Sequence, residues 1–140
     1  MKSFRTIAVG FDGSDDSEIA LRWAVRLAAD TGAEVVVVHA TGMLEHLDTH
    51  FSADKMPTAL ATIAGEYGVD VQRLHWIVDN GDACSVLLRA SEPPVNADLL
   101  VVGSRGHGKR PGLLLGSTSL EVTQHATTPV VVVPSNVALH

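Results

Sequence analysis

Ala97-Asp98-Leu99-Leu100-Val101-Val102-Gly103-Ser104-Arg105-Gly106-His107-Gly108 passes from an unbroken apolar block straight into glycine. A short, branched apolar run bounded by turn residues reads as a strand buried on both faces. Strands of that kind belong to parallel sheets with helices above and below. Four further runs rich in Val and Ile complete the set. The predicted strands are residues 6–11, 34–40, 70–78, 98–102 and Val130–Val133.

Helical spacing fills the gaps. After Ser14, a capping residue, Ile19, Ala20, Trp23, Ala24, Leu27 and Ala28 recur at three- and four-residue intervals until Gly32. A second helix is expected from about Ala53 to Tyr67 with Pro57 in its first turn, because proline is tolerated only there. A third runs from near Asp82 to Glu92, and a fourth opens near Gly116-Ser117 and stops before Thr128-Pro129. Residues 41–52 read as a loop. The alternation β-α-β-α-β-α-β-α-β predicts an α/β fold: one doubly wound domain with a five-stranded parallel sheet and helices on both faces.

Strand order follows from the edges. Leu74, Trp76 and Val78 alternate with Arg73, His75 and Ile77, as on a half-exposed strand. Pro129 and Pro134 bracket the last strand, and proline keeps to strand ends and sheet edges. With these two strands outermost, right-handed crossovers favour the order 3-2-1-4-5. The reversal then falls between the first and fourth strands, where open α/β sheets hold their ligands.

Composition narrows the function. Sixteen acidic against ten basic residues give a net charge of −6, which disfavours nucleic acid and anionic membranes as partners. One cysteine, Cys84, permits no internal disulfide and is read as a small apolar residue. No stretch approaches the roughly 20 apolar residues of a membrane span, and the start of the chain lacks a signal-peptide pattern. The expected location is cytoplasmic.

Two segments leave the strands at the reversal: Gly10-Phe11-Asp12-Gly13-Ser14, and the region from Gly103 to Gly116, which holds five glycines in fourteen positions. Glycine lets backbone N–H groups approach a ligand without a Cβ in the way. Gly116-Ser117 opens a helix whose free N–H groups favour an anion. Ser104, Ser117, Thr118 and Ser119 add hydroxyls, and Arg105, His107, Lys109 and Arg110 form a basic cluster. Together they suit a phosphate group.

Two familiar nucleotide motifs fail. Gly103 to Lys109 fits G-x4-G-K, but Arg110 replaces the hydroxyl residue that holds Mg²⁺, and Pro111-Gly112 cannot continue a helix. The G-x-G-x-x-G spacing is absent after the first strand. A phosphoacceptor receiver domain is also disfavoured, since Asp12 has no adjacent acid and no lysine follows the last strand.

The spacing that does match is G-x2-G-x9-G-[ST], through Gly103, Gly106, Gly116 and Ser117. Here the chain resembles the universal stress protein family, in its ATP-binding branch. Residues 9–14, 38–40, 97–106, 125–126 and 129–133 carry the likeness over nearly the whole length. The resemblance implies that Asp12 contacts the nucleoside, that Ala40 lies against adenine, and that the glycine-rich loop with Ser117 holds ribose and phosphates. Ala40 is smaller than the valine expected there. The resemblance implies ATP, with Mg²⁺, as ligand, and a homodimer. A flat Val130–Val133 edge, hazardous if left bare, is the surface through which two chains would pair.

The candidate nucleotide-binding residues are Gly10, Asp12, Ala40, Gly103, Ser104, Arg105, Gly106, His107, Gly116, Ser117 and Thr118. Asp12 could instead cap a turn over Ser14. His46 and His50, four apart, could bind a metal on a helix, but the loop reading favours a solvated stretch. His39 and His125 are expected to be hydrogen-bonded core residues. With no nucleophile–base pair and no second carboxylate beside Asp12, the leading function is a nucleotide-dependent regulator in stress response. The alternatives are a slow Mg-dependent ATPase or phosphate-transferring enzyme, and an interaction module with an empty loop.

Overall fold

Five parallel strands lie in the order β3-β2-β1-β4-β5. They are β1 (Thr6–Gly10), β2 (Glu34–Thr41), β3 (Leu74–Asn80), β4 (Leu99–Gly103) and β5 (Val130–Val133). The helices are α1 (Asp15–Thr31), α2 (Thr58–Glu66), α3 (Ala83–Arg89) and α4 (Ser117–His125). The computed structural model describes residues 4–41, 57–104 and 115–137. The expected α/β fold and strand order are those observed.

Side-chain alternation splits the core into two layers. Ile7, Val9, Val35, Val37, Leu99 and Val101 face Leu21, Ala24, Val25 and Ala28 of α1 and Leu60 and Ile63 of α2. Ala8, Val36, Val38, Leu100 and Val102 face Cys84, Val86 and Leu87 of α3 and Val122 of α4. The central strands are thus buried on both faces, as their unbroken apolar runs demand.

Long-range polar contacts pin the sheet. Asp98 accepts from the Arg5 and Thr6 amides at 3.0 and 3.1 Å and so aligns β1 with β4. Arg73 donates to the carbonyls of Ala28 at 2.6 Å and Ala33 at 2.8 Å. It thereby supplies the cation that the last turn of α1 lacks. Arg22 reaches Glu18 on its own helix and Glu66 on α2, tying the two helices together.

Some sequence expectations need correction. β3 begins at Leu74 rather than residue 70, because Asp70 caps a 3-10 turn over Val71–Arg73. α3 ends at Arg89, three residues short of Glu92, and the chain continues through turns. In α2, Pro57 is the cap and not part of the first turn; residues 53–56 lie outside the described residues. His125 is exposed instead of buried. The buried positions of α4 are Ser119 and Val122, and His125 is the last residue of the helix, at its exposed end. His39, by contrast, is buried and hydrogen-bonded as expected.

Candidate nucleotide site at the strand reversal

β1 and β4 lie side by side in parallel, and their connections leave to opposite faces of the sheet. The crevice beyond their carboxyl ends is bounded by the turn after β1 and by the start of α4. Each has a local chemical cause. In the first, Asp12 Oδ1 accepts from the Ser14 amide at 2.9 Å and from the Ser14 hydroxyl at 2.5 Å. Gly13 takes φ 83°, a left-handed conformation that glycine adopts without strain. Ser14 then accepts from the Ser17 amide at 3.2 Å and caps α1. Asp12 therefore does close the turn over Ser14, the structural role weighed for it. This leaves the carboxylate on an exposed residue at the crevice.

The second boundary is built on Ser104, which is buried. Its amide donates to the Val133 carbonyl at 3.0 Å. Its carbonyl accepts from the Gly116 amide at 2.6 Å and the Ser119 hydroxyl at 3.0 Å. The start of α4 is thereby anchored to the end of β4. Ser117 is exposed and Thr118 half-buried, whereas the Ser119 hydroxyl points inward and is used structurally.

The cap of α4 differs chemically from those of α1 and α3. Ser14 caps α1 at φ −70°, ψ 160° and Asp82 caps α3 at φ −76°, ψ 155°, each through a side-chain oxygen. Gly116 caps α4 at φ −75°, ψ 169° with no side-chain bond. The backbone at 116 would accept serine or aspartate. Glycine instead leaves the first-turn N–H groups to an outside acceptor, which fits an anion.

The remaining candidates divide as follows. Ala40 is half-buried near the end of β2 and packs against the α3–α4 layer. A Cβ at Gly10 would stand 3.5 Å from Leu87 Cδ2, so that position faces α3. A Cβ at Gly103 would stand 2.7 Å from the Asp16 carbonyl oxygen, which gives Gly103 a packing duty against α1. Arg105, Gly106 and His107 lie outside the described residues, as do His46 and His50.

Sequence reading missed the support behind the crevice. His39 Nδ1 lies 2.9 Å from the Phe11 carbonyl, and the His39 ring stacks on Trp76. It also missed a cluster on the α3–α4 side, where Asp82, Cys84 and Glu121 bring ligand-type atoms within 4.8 Å of one another. Both Asp82 oxygens already hold Ser85, whose amide and then hydroxyl keep the carboxyl below its ordinary range. Burial, then the nearby Glu121 and Asp82 carboxylates, push the Cys84 thiol up, so it stays protonated at neutral pH. We read the cluster as a helix cap beside an inert thiol.

The model of the universal stress protein family matches residues 3–134. The chain belongs to this family. The universal stress protein YxiE of Bacillus subtilis is 32% identical over 151 aligned positions, covering 93% of this chain and 99% of that protein. A universal stress protein of Mycobacterium tuberculosis is 34% identical over 134 positions, 90% of this chain. The chain spans under half of that relative's length, 44%. A crystal structure of a universal stress protein in complex with cAMP superposes with a TM-score of 0.73 at 27% identity, covering 96% of this chain and 100% of that one.

Proposed function

We propose that this universal stress protein binds an adenine nucleotide in the crevice between β1 and β4, and that ATP occupancy regulates its contacts. The observation that carries the reading is the start of α4. Its glycine cap leaves N–H groups open beside the Ser104 anchor, on the crevice where Asp12 stands. A relative 27% identical over nearly the whole chain was solved with a cyclic adenine nucleotide, which supports the same ligand class here.

In this reading Asp12 addresses the nucleoside, Ala40 walls the base, and Ser117 and Thr118 with the α4 amides hold phosphate. Gly10 and Gly103 end the two strands beneath the ligand, Ser104 anchors the start of α4 beside it, and Arg105, Gly106 and His107 are assigned to the same ligand from the sequence. Mg²⁺ enters with ATP as part of the ligand. Charge-assisted hydrogen bonds contribute about 1.5–3 kcal/mol each. Three or four reach the roughly 8 kcal/mol of micromolar binding.

The test is to titrate purified protein with MgATP, ADP and AMP by calorimetry, and to extract whatever nucleotide co-purifies. Micromolar MgATP binding, weakened at least tenfold by Asp12→Ala, is the expected result. No heat and no bound nucleotide would mean an interaction module. Incubation with labelled ATP separates binder from enzyme: multiple turnovers abolished by Asp12→Asn would favour a slow ATPase.

The assembly reading is a homodimer through the β5 edge. Val130, Val131 and Val132 are half-buried on an outermost strand whose far side has no ladder partner among the described residues. Sedimentation is expected to give a dimer mass; a monomer mass at every concentration would count against it. Among the described residues no helix is long and apolar enough to cross a membrane. We place the protein in the cytoplasm.

A further inference from the structure

Among the described residues, Asp12 is held locally by Ser14 and, through the preceding residue, by the sheet. Its bonds to Ser14 set the carboxylate relative to α1, not relative to the sheet. The tie to the sheet runs through Phe11, the preceding residue. The Phe11 amide donates to the Val38 carbonyl at 2.9 Å, which continues the β1–β2 ladder by one bond. The Phe11 carbonyl is engaged differently: its partner is His39 Nδ1 at 2.9 Å. A carbonyl can only accept, so Nδ1 must carry the proton.

The imidazole is itself held on a broad face. Its ring stacks on Trp76 with centroids 5.8 Å apart and planes at 22°. Trp76 also receives the Phe11 ring edge-on, at 6.2 Å and 73°. Phe11 is therefore gripped at both its carbonyl and its ring by one stack spanning β2 and β3. His39 lies 7% exposed directly after the buried valines 35–38, where an apolar side chain would pack without needing a partner. Alternation along β2 sends Ala40 to the α3–α4 layer, while Phe11 and Trp76 pack in the α1–α2 layer. Among the described residues, the path from His39 to the crevice runs through the Phe11-Asp12 backbone.

We propose that His39 is a positioning residue for Asp12: its Nδ1–H, seated on Trp76, holds the Phe11 carbonyl and so aims the Asp12 carboxylate into the crevice. This deepens the nucleotide-binding reading and rests on it. His39→Phe keeps a ring against Trp76 and removes the donor. His39→Asn returns an N–H close to the Nδ1 position.

The experiment is a calorimetric titration with MgATP of the full chain, its two His39 variants, Asp12→Ala and the His39→Phe/Asp12→Ala double variant. His39→Phe is expected to weaken binding about fivefold to tenfold, the size of one net hydrogen bond. His39→Asn should recover to within about threefold of wild type, and His39→Phe should add nothing once Asp12 is gone. Undiminished affinity in His39→Phe, or an equal loss in the Asp12→Ala background, would overturn the proposal. Should His39→Phe fail to fold, His39→Met serves as the donor-free variant. Hydrogen exchange of the Ser14 amide gives a readout that needs no ligand, and His39→Phe should accelerate it while core amides of α1 stay protected. If the wild-type chain takes up no adenine nucleotide, the proposed function fails separately. Unchanged Ser14 protection would then overturn the positioning role by itself.

Discussion

Gly103→Ala is expected to lower the melting temperature by about 3–9 °C, while Gly10→Ala leaves it unchanged or slightly raised. The two glycines end adjacent parallel strands, and neither has a positive φ, so conformational freedom does not separate them. Space does. An added Cβ at 103 would stand 2.7 Å from the carbonyl oxygen of Asp16 and 2.9 Å from its carbonyl carbon. Those atoms are backbone in the first turn of α1 and cannot swing aside as the tip of a side chain would. Ser14 clamps that turn through its bond to the Ser17 amide, so the helix can yield only by moving off the sheet. Overpacking of this kind costs about 1–3 kcal/mol, at roughly 3 °C per kcal/mol for a chain of this size. At Gly10 the nearest atoms are Leu87 Cδ2 at 3.5 Å and Val102 Cγ1 at 4.0 Å, ordinary contact distances. Alanine there also restricts the unfolded chain, by about 0.4–1 kcal/mol. Thermal unfolding followed by circular dichroism checks both variants, and equal melting points would refute the packing role.

The case of Gly103 marks a boundary between what sequence states and what it hides. As the first glycine of G-x2-G-x9-G-[ST] it reads as part of a ligand loop, because spacing along the chain says nothing about which way a missing side chain would point. Only the folded crossing of β4 under α1 brings Asp16 within reach. The strands were legible for the opposite reason. Burial on both faces of a parallel sheet forces unbroken apolar runs such as Val35-Val36-Val37-Val38, and proline at 129 and 134 forces an edge. Together with crossover handedness, these constraints fix an order of five strands.

Where local preference and tertiary context compete, the reading slipped. Val71 looks like strand, yet Asp70 accepts from the Gln72 amide at 2.9 Å and winds the chain into a 3-10 turn. Val71 is left 44% exposed as a result, which a strand position in the core would not tolerate. The His39–Phe11–Trp76 stack was equally out of reach, since its members are separated by 28 and 37 positions and no periodicity joins them. His39 could be recognised only as a polar interruption in a run of valines.

Gly116→Asp is expected to move stability and binding in opposite directions, and this pairing tests the site most sharply. Position 116 already has the dihedrals of the side-chain caps at Ser14 and Asp82, so aspartate enters without strain. Its carboxylate would accept from the first-turn amides of α4 and sit at the positive end of the helix dipole. Relative to glycine the cap contributes a few tenths of a kcal/mol, and the charge about 0.3–1 kcal/mol more. The melting temperature should therefore rise by about 1–4 °C. The same carboxylate would occupy the donors that a phosphate needs and would repel its charge. Losing even one charge-assisted bond, about 1.5–3 kcal/mol, weakens MgATP binding by about tenfold or more. Gly116→Val blocks the same amides without capping them, so it should lose affinity with no gain in melting temperature. A stabilised Gly116→Asp variant that still binds MgATP like wild type would show that the α4 amides face no phosphate, because the cap would then be filled while the ligand remained.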